Sequence, residues 1–330
     1  MLKLSEFDYI LPKELIAQDP LKERDSARLL VVERKSGSIK HCVFKDLGDF
    51  LKPNDLLVLN DTKVLPCRLK GKRATGGKVE IFLLKRNENK TFSALLKPGR
   101  LKLGEKINFN GGKIQAEILS KNEVAFNTQD VNEIYGLGAI PLPPYIKREA
   151  VAEDSIYYQT VYAKEEGAVA SPTAGLHFTD GLLKKINENG VGTSYVTLHV
   201  GLGTFKPVKS DNITEHKMDK EYFKVPDAVV SAIEKTKKFS GRVIAVGTTS
   251  LRALESFALG KKEGETDLFI YPGFDFKITD CLLTNFHLPR TTLFMLVCAF
   301  CGEELAKKAY QEAVRDNYRF YSYGDAMLII

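Results

Sequence analysis

The run Ser171-Pro172-Thr173-Ala174-Gly175-Leu176-His177-Phe178-Thr179 packs hydroxyls, a glycine and an imidazole just ahead of an expected helix. Histidine has the unperturbed pKa nearest neutrality, so it can serve as acid or base. A hydrogen-bonded structural histidine is the ordinary alternative. Here the small and hydroxyl-bearing neighbours imply close backbone approach to a ligand, which makes Ser171, Thr173, Gly175 and His177 candidate site residues. A second imidazole, His199, stands in Leu198-His199-Val200-Gly201-Leu202-Gly203-Thr204, where a strand runs into a glycine loop. Phe205 and Lys206 fill the last two places of a G-x-G-x-x-G pattern, so a dinucleotide fingerprint is rejected. Gly201 and Thr204 could still meet a ligand, and a mere tight turn is equally compatible. A third, His287, lies in Thr284-Asn285-Phe286-His287-Leu288-Pro289-Arg290 before the most apolar helix of the chain. Asn285 and His287 are costly beside a core helix unless used. Glu215-His216 reads as a solvated loop.

One motif has no histidine. Val246-Gly247-Thr248-Thr249-Ser250-Leu251-Arg252 reads as strand, turn and helix. Helix N-termini present unpaired N–H groups and a partial positive charge, which suits a carboxylate, a phosphate or a ribose hydroxyl. An ordinary βα connection capped by Thr or Ser would look the same. Arg252 in the first turn needs an anionic partner there, which favours a functional reading of Gly247, Thr248, Thr249 and Arg252. Near the C-terminus, Tyr321-Ser322-Tyr323-Gly324-Asp325 precedes an apolar run, 327–330, that reads as a docked strand. Asp325 is its one functional candidate.

These residues need elements to hold them. Residues 28–33 and 56–60 read as strands, and the continuous apolar run Leu56-Leu57-Val58-Leu59 fits a strand covered on both faces. Six short alternating stretches follow at 64–69, 78–84, 91–96, 106–109, 113–119 and 123–127, separated by turns such as Asn110-Gly111-Gly112. That spacing, without helical periodicity, predicts a small antiparallel barrel or sandwich. Pro141, Pro143 and Pro144 mark its end. Beyond it the pattern is α/β, with helices expected over 178–189, 227–238, 250–259, 290–302 and 303–317, and strands over 191–200, 243–246 and 269–271. The predicted architecture is an α/β domain, residues 1–62 and 144–330, with an inserted six-stranded antiparallel β-barrel at 63–143.

The chain has 330 residues and a formal net charge of +6, with an apolar share of 44%, ample for a core. Residues 63–149 hold seventeen Lys or Arg against eight Asp or Glu, so the basic surplus is concentrated there. An anionic partner such as RNA fits that segment. Five cysteines without a C-x-x-C pair, and no H-E-x-x-H, predict free thiols and no metal site. No apolar run reaches the roughly 18 residues of a membrane span, and the start Met1-Leu2-Lys3-Leu4-Ser5-Glu6 has no secretory core, so the cytoplasm is expected.

Together these motifs resemble the S-adenosylmethionine:tRNA ribosyltransferase-isomerases of queuosine biosynthesis. The resemblance also rests on Phe7-Asp8-Tyr9, Asn60-Asp61-Thr62-Lys63-Val64, Leu142-Pro143-Pro144-Tyr145-Ile146 and Tyr158-Gln159-Thr160-Val161-Tyr162. It covers the whole chain; each motif alone is weak, and their order and combination are specific. Phe274 stands where Tyr is expected and Thr291 where Ser is expected. The resemblance implies an α/β domain with an antiparallel barrel and no prosthetic group. The co-substrate is S-adenosylmethionine. Its ribosyl part would move to preQ1 at the wobble position of tRNAs for Tyr, His, Asp and Asn, rearrange to the epoxycyclopentanediol of epoxyqueuosine, and release adenine and methionine. A monomer is expected from the family.

That chemistry needs a base near the acidified C5′ protons, a proton or hydrogen bonds for departing adenine, a neutral attacking amine and exclusion of water. His177, His199 and His287 are the expected acid–base groups, with Asp325 after them. Thr248, Thr249 and Arg252 would hold the ribose or the methionine carboxylate, and Asn285 a base. Tyr145, Lys147 and Arg148, with Lys70, Lys72 and Arg73, are expected to meet RNA by stacking and phosphate contacts. The rival classes are a non-catalytic tRNA-binding protein and an S-adenosylmethionine-dependent tRNA methyltransferase. The latter's glycine-rich loop after a first strand is missing.

Overall fold

The computed structural model describes residues 2–201, 203, 208 and 210–330. Thr204, a sequence candidate, lies outside the described residues. The chain opens with β1 (Arg28–Glu33), β2 (Ser38–Val43), β3 (Leu56–Asn60) and β4 (Thr62–Val64). It continues through β5 (Arg68–Arg73), β6 (Lys78–Arg86), β7 (Phe92–Lys97), β8 (Lys106–Phe109), β9 (Ile114–Ser120), β10 (Glu123–Phe126), α1 (Val131–Tyr135) and β11 (Gly138–Ala139). After α2 (Asp154–Tyr157) and β12 (Glu165–Ala168) come α3 (Asp180–Glu188), β13 (Gly192–Leu198), β14 (Glu221–Lys224), α4 (Asp227–Lys238), β15 (Val243–Val246), α5 (Thr248–Ala258), β16 (Glu263–Thr266), β17 (Cys281–Asn285), α6 (Thr292–Cys301), α7 (Glu303–Arg315) and β18 (Ala326–Ile329).

Nine strands form the large sheet in the order β16-β14-β13-β3-β15-β17-β18-β1-β2. Its centre is parallel: β13, β3, β15 and β17 all run the same way. The apolar run of β3 explains the two-sided core. Successive side chains of a strand face opposite ways. Leu56 and Val58 pack on one side with α4 to α7, while Leu57 and Leu59 pack on the other with α3 and Phe44. The 327–330 reading holds as β18, which sits between β17 and β1 with all four residues buried.

Helix starts follow local chemistry. Thr179 caps α3 by accepting from the Leu182 N–H at 3.1 Å, as its position predicts. Thr291 caps α6 and also donates to the Leu288 carbonyl at 2.6 Å, so the hydroxyl at this position is used. Two expectations are corrected. The stretch 269–271 is not a strand; the edge beside β14 is taken by Glu263–Thr266, and Ile270 goes into the core instead. The expected strand 64–69 divides into β4 and β5, with Pro66, which has no N–H to give a ladder, between them.

In the middle segment β5, β6, β7, β10, β9 and β8 pair successively and antiparallel. Lys72 and Arg73 of β5 then pair with Asn108 and Ile107 of β8. A separate core of Leu69, Ile81, Phe92, Ile107, Ile118 and Val124 fills this sheet. At the β5–β8 junction a Cβ on Gly71 would lie 2.6 Å from Ile107 Cγ2 and 2.7 Å from Phe109 Cε1, so only glycine fits. Among the described residues no helix is long and apolar enough to cross a membrane, and all five cysteines are free.

Candidate active site

A cleft opens at the carboxyl ends of the central parallel strands, where open α/β sheets place ligands. Its wall comes from four places: Val200 beyond β13, Gly247 beyond β15, Thr284 and Asn285 at the end of β17, and the 170–174 segment. Antiparallel β18 begins at that same end, with Ala326 opposite Asn285, which brings in Tyr321 and Ser322. Tyr145 also lines the cleft, its hydroxyl bonded to Ser322 Oγ and its ring edge-on to Tyr321.

Asn60, fully buried at the end of β3, organises the floor. Its amide donates to the Leu198 carbonyl at 2.9 Å and to Thr249 Oγ1 at 3.1 Å, and its carbonyl accepts from the N–H groups of Thr62 and Leu198. This ties β3, β13 and the start of α5 together. Gly247 holds φ +90, a conformation that only glycine adopts without strain, and so turns β15 directly into α5. The helix starts at Thr248, two residues earlier than the pattern predicts, and its first internal bond runs from Leu251 N to Gly247 O at 3.1 Å. The N–H groups of Thr248, Thr249 and Ser250 therefore have no acceptor within the helix, and Gly247 has no side chain to cap them.

The three candidate histidines do not converge. His287 lines the cleft, with Nε2 2.9 Å from Thr284 Oγ1 and its carbonyl taken by the Tyr9 hydroxyl. Burial pushes its pKa down to about 3. His177 lies behind Asn285, its Nε2 3.3 Å from Asn285 Oδ1, and burial lowers it to about 4. Both rings are neutral at pH 7, so they can accept a proton or offer an N–H but carry no charge. His199, the residue after β13, is held elsewhere: Nδ1 is 2.8 Å from Thr62 Oγ1 and the ring stacks on Tyr222. It does not line the cleft although its neighbour Val200 does; both lie just beyond the end of β13, and the Thr62 and Tyr222 contacts turn the His199 ring away.

Other candidates divide the same way. Ser171, Thr173, Thr248, Thr249 and Asn285 line the cleft. Asn285 already spends its amide, donating to the Tyr321 carbonyl at 2.9 Å while Oδ1 faces His177. Gly175 lies against the Tyr162 hydroxyl, where a side chain would collide. Gly201 donates to Glu221 at 2.8 Å. Arg252 finds the anionic partner that its position demanded, but that partner is Glu221 rather than a ligand; both side chains are buried, and Nε donates to the Leu268 carbonyl at 3.0 Å. Asp325 accepts from the N–H groups of Arg28 at 2.9 Å and Arg319 at 2.7 Å, and so fastens the last turn to the sheet, outside the cleft.

Of the expected RNA contacts, Arg148 is committed to Asp154 through two hydrogen bonds and to Asp19 through a third. Arg73 grips Glu105 in the same forked manner. Lys147 is exposed, its ammonium near the Pro144 carbonyl. Lys70 and Lys72 line a groove on the middle segment with Lys78 and Lys97. Lys78 and Lys97 carried no motif, and only the pairing of β5, β6 and β7 reveals them. Tyr321 and Ser322 were also missed as cleft residues. Tyr321 has φ +74, an unusual value for a non-glycine residue that the sequence does not announce. Among the described residues, His41, Glu312 and Asp316 alone could gather around a metal ion, and they lie away from the cleft.

Comparison with known proteins decides the family. A model of the queuosine biosynthesis protein family matches residues 4–329. The chain belongs to this family. It is 52% identical to the S-adenosylmethionine:tRNA ribosyltransferase-isomerase of a Sulfurihydrogenibium species, with 100% of both chains covered. It is equally 52% identical to the enzyme of that name from Carboxydothermus hydrogenoformans, again over the full length of both. Among solved structures, S-adenosylmethionine tRNA ribosyltransferase from Thermotoga maritima matches with a TM-score of 0.58 and 38% identity, covering 98% of this chain and 100% of that one.

Proposed function

We infer that the protein is a ribosyltransferase-isomerase. It transfers the ribosyl moiety of S-adenosylmethionine to preQ1 in tRNA and isomerises it to epoxyqueuosine, releasing adenine and methionine. The observation that carries this reading is similarity over the full length to enzymes of that name. The cleft supports it: hydroxyls, a neutral imidazole and an uncapped helix start surround a buried floor at the carboxyl end of the sheet.

In this reading His287 is the group that meets the reacting atoms. A neutral imidazole can take a C5′ proton that the sulfonium has acidified. His177 is a positioning residue that acts through Asn285, and Asn285 fixes the Tyr321 turn rather than reading a base. His199, Arg252 and Asp325 hold the scaffold and touch no reacting atom. Ser171, Thr173, Thr248 and Thr249 bind S-adenosylmethionine. We read the insert at 63–143 as a small barrel flanked by the α/β parts 1–62 and 144–330, a reading that the pairing of β5 with β8 supports. Its lysine groove takes tRNA phosphates, and Tyr145 stands at the mouth to stack on an anticodon-loop base. The tRNAs are those for Tyr, His, Asp and Asn, and the enzyme works as a cytoplasmic monomer without a prosthetic group.

The test uses S-adenosylmethionine labelled separately in its ribose and methyl groups, with preQ1-containing tRNA. Ribose label in the tRNA, with the methyl label leaving in methionine, is the expected result. Methyl label in the tRNA would make the protein a methyltransferase, and binding without either transfer would make it a tRNA-binding module.

A further inference from the structure

The cleft contains an uncapped helix start, and among the described residues that line it none is a lysine, arginine, aspartate or glutamate. Three N–H groups at the start of α5 lack helical acceptors, and the eleven-residue helix adds its partial positive charge there. Thr248 and Thr249, which carry two of them, line the cleft. Ser171 lines the same cleft. It is 5% exposed, and its Oγ has no hydrogen-bond partner among the described residues. A buried hydroxyl without a partner is unfavourable and indicates a missing acceptor. The one cation nearby in sequence, Arg252, is turned away and bonded to Glu221.

We propose that the α5 N-terminus and Ser171 form an oxyanion subsite that holds the α-carboxylate of the methionine part of S-adenosylmethionine. The assignment rests on the ribosyl-transfer reading and sharpens it. Thr248 and Thr249 are 7% and 8% exposed, so the donors lie deep. The carboxylate ends a slender three-carbon arm on the sulfonium and can reach that depth. A backbone phosphate of tRNA is flanked by sugars on both sides and stays nearer the surface. Holding the methionine end here anchors the sulfonium, and with it the C5′ carbon, inside the cleft that His287 lines.

The experiment compares S-adenosylmethionine with its decarboxylated analogue as donors, at saturating preQ1-tRNA, by following adenine release. Ser171→Ala should raise KM for S-adenosylmethionine by about ten-fold, as loss of a hydrogen bond to a charged group does. It should leave KM for the decarboxylated donor unchanged. Thr248→Pro, which deletes one N–H where proline is tolerated at a helix start, should show the same selectivity against a Thr248→Ala control. Equal effects on both donors would overturn the carboxylate assignment. A rise in the tRNA KM alone would give the subsite to a phosphate and overturn it as well. No adenine from the wild-type protein with either donor would instead sink the ribosyl-transfer reading, and the subsite with it.

Discussion

At the scale of single residues, burial sets the chemistry. His287 and His177 have pKa values of about 3 and about 4, because each charged form would lose its hydration. Adenine release should therefore show no inflection near pH 6.5 from either ring. His287→Ala should lower kcat by about 10²- to 10⁴-fold, the usual contribution of a positioned proton acceptor. A wild-type inflection near 6.5 that vanishes in His287→Ala would show the ring to be solvated instead. The same shifts affect stability. Unfolded imidazole titrates near about 6.5. Between that value and the folded one, only the unfolded chain takes up the proton. Stability is therefore undiminished above about pH 6.5. It falls as pH drops, by up to about 1.4 kcal/mol per pH unit for each ring, until the folded value is reached. Urea unfolding at pH 7 and pH 5 measures this, and His177→Gln should remove that residue's share of the slope. The sequence pointed to both imidazoles through their glycine- and hydroxyl-rich surroundings. It could not separate them from His199, because the direction of that ring, just beyond β13, is set by its contacts with Thr62 and Tyr222, which are distant in sequence.

At the scale of elements, close approach decides more than propensity. β5 closes on β8 only because Gly71 leaves room for Ile107 and Phe109. Gly71→Ala forces those side chains aside and should cost about 1–3 kcal/mol, the usual penalty of overpacking. Chemical denaturation of the full chain measures it. Gly37→Ala is a useful contrast: a Cβ there meets nothing within 4 Å, so its cost is confined to the positive φ of +67. Strand positions in this segment were legible from alternation and turn residues. Ring closure was not, since the pairing of Lys72 with Asn108 joins residues far apart in sequence. The start of α5 shows the reverse case. Gly247-Thr248-Thr249 was recognisable as a βα turn. Its early helical start came from Gly247's positive φ and the Asn60–Thr249 bond.

At the scale of the whole molecule, the two larger sheets carry different surfaces, a cleft on one and a lysine-lined groove on the other. Lys70 is paired with Glu149, whereas Lys72, Lys78 and Lys97 lie along the groove beside it. Lys72→Glu and Lys78→Glu should each weaken tRNA binding and reduce the slope of log K against log salt by about one. Binding titrations over a range of salt concentrations measure this. Unchanged binding and slope would place the tRNA on another face. Arg148 and Arg73, although cationic and well placed in sequence, are tied up in forked pairs with Asp154 and Glu105 and are poor choices for this test.

The sequence alone determined the family, the alternation of an α/β chain with a strand-rich basic insert, and the motifs around residues 171–177, 247–249 and 284–287, parts of which line the cleft. These are local signals: residue type, spacing and period survive without any knowledge of what lies opposite. The tertiary structure decided which candidates face one another. It brought Tyr321 and Ser322 to the cleft and turned Arg252 onto Glu221. It also set Asp325 to fastening backbone, turned His199 onto Thr62 and Tyr222, and left the Ser171 hydroxyl without a hydrogen-bond partner among the described residues. Each of these depends on contacts between residues distant along the chain, and such contacts are fixed by packing and register rather than by composition.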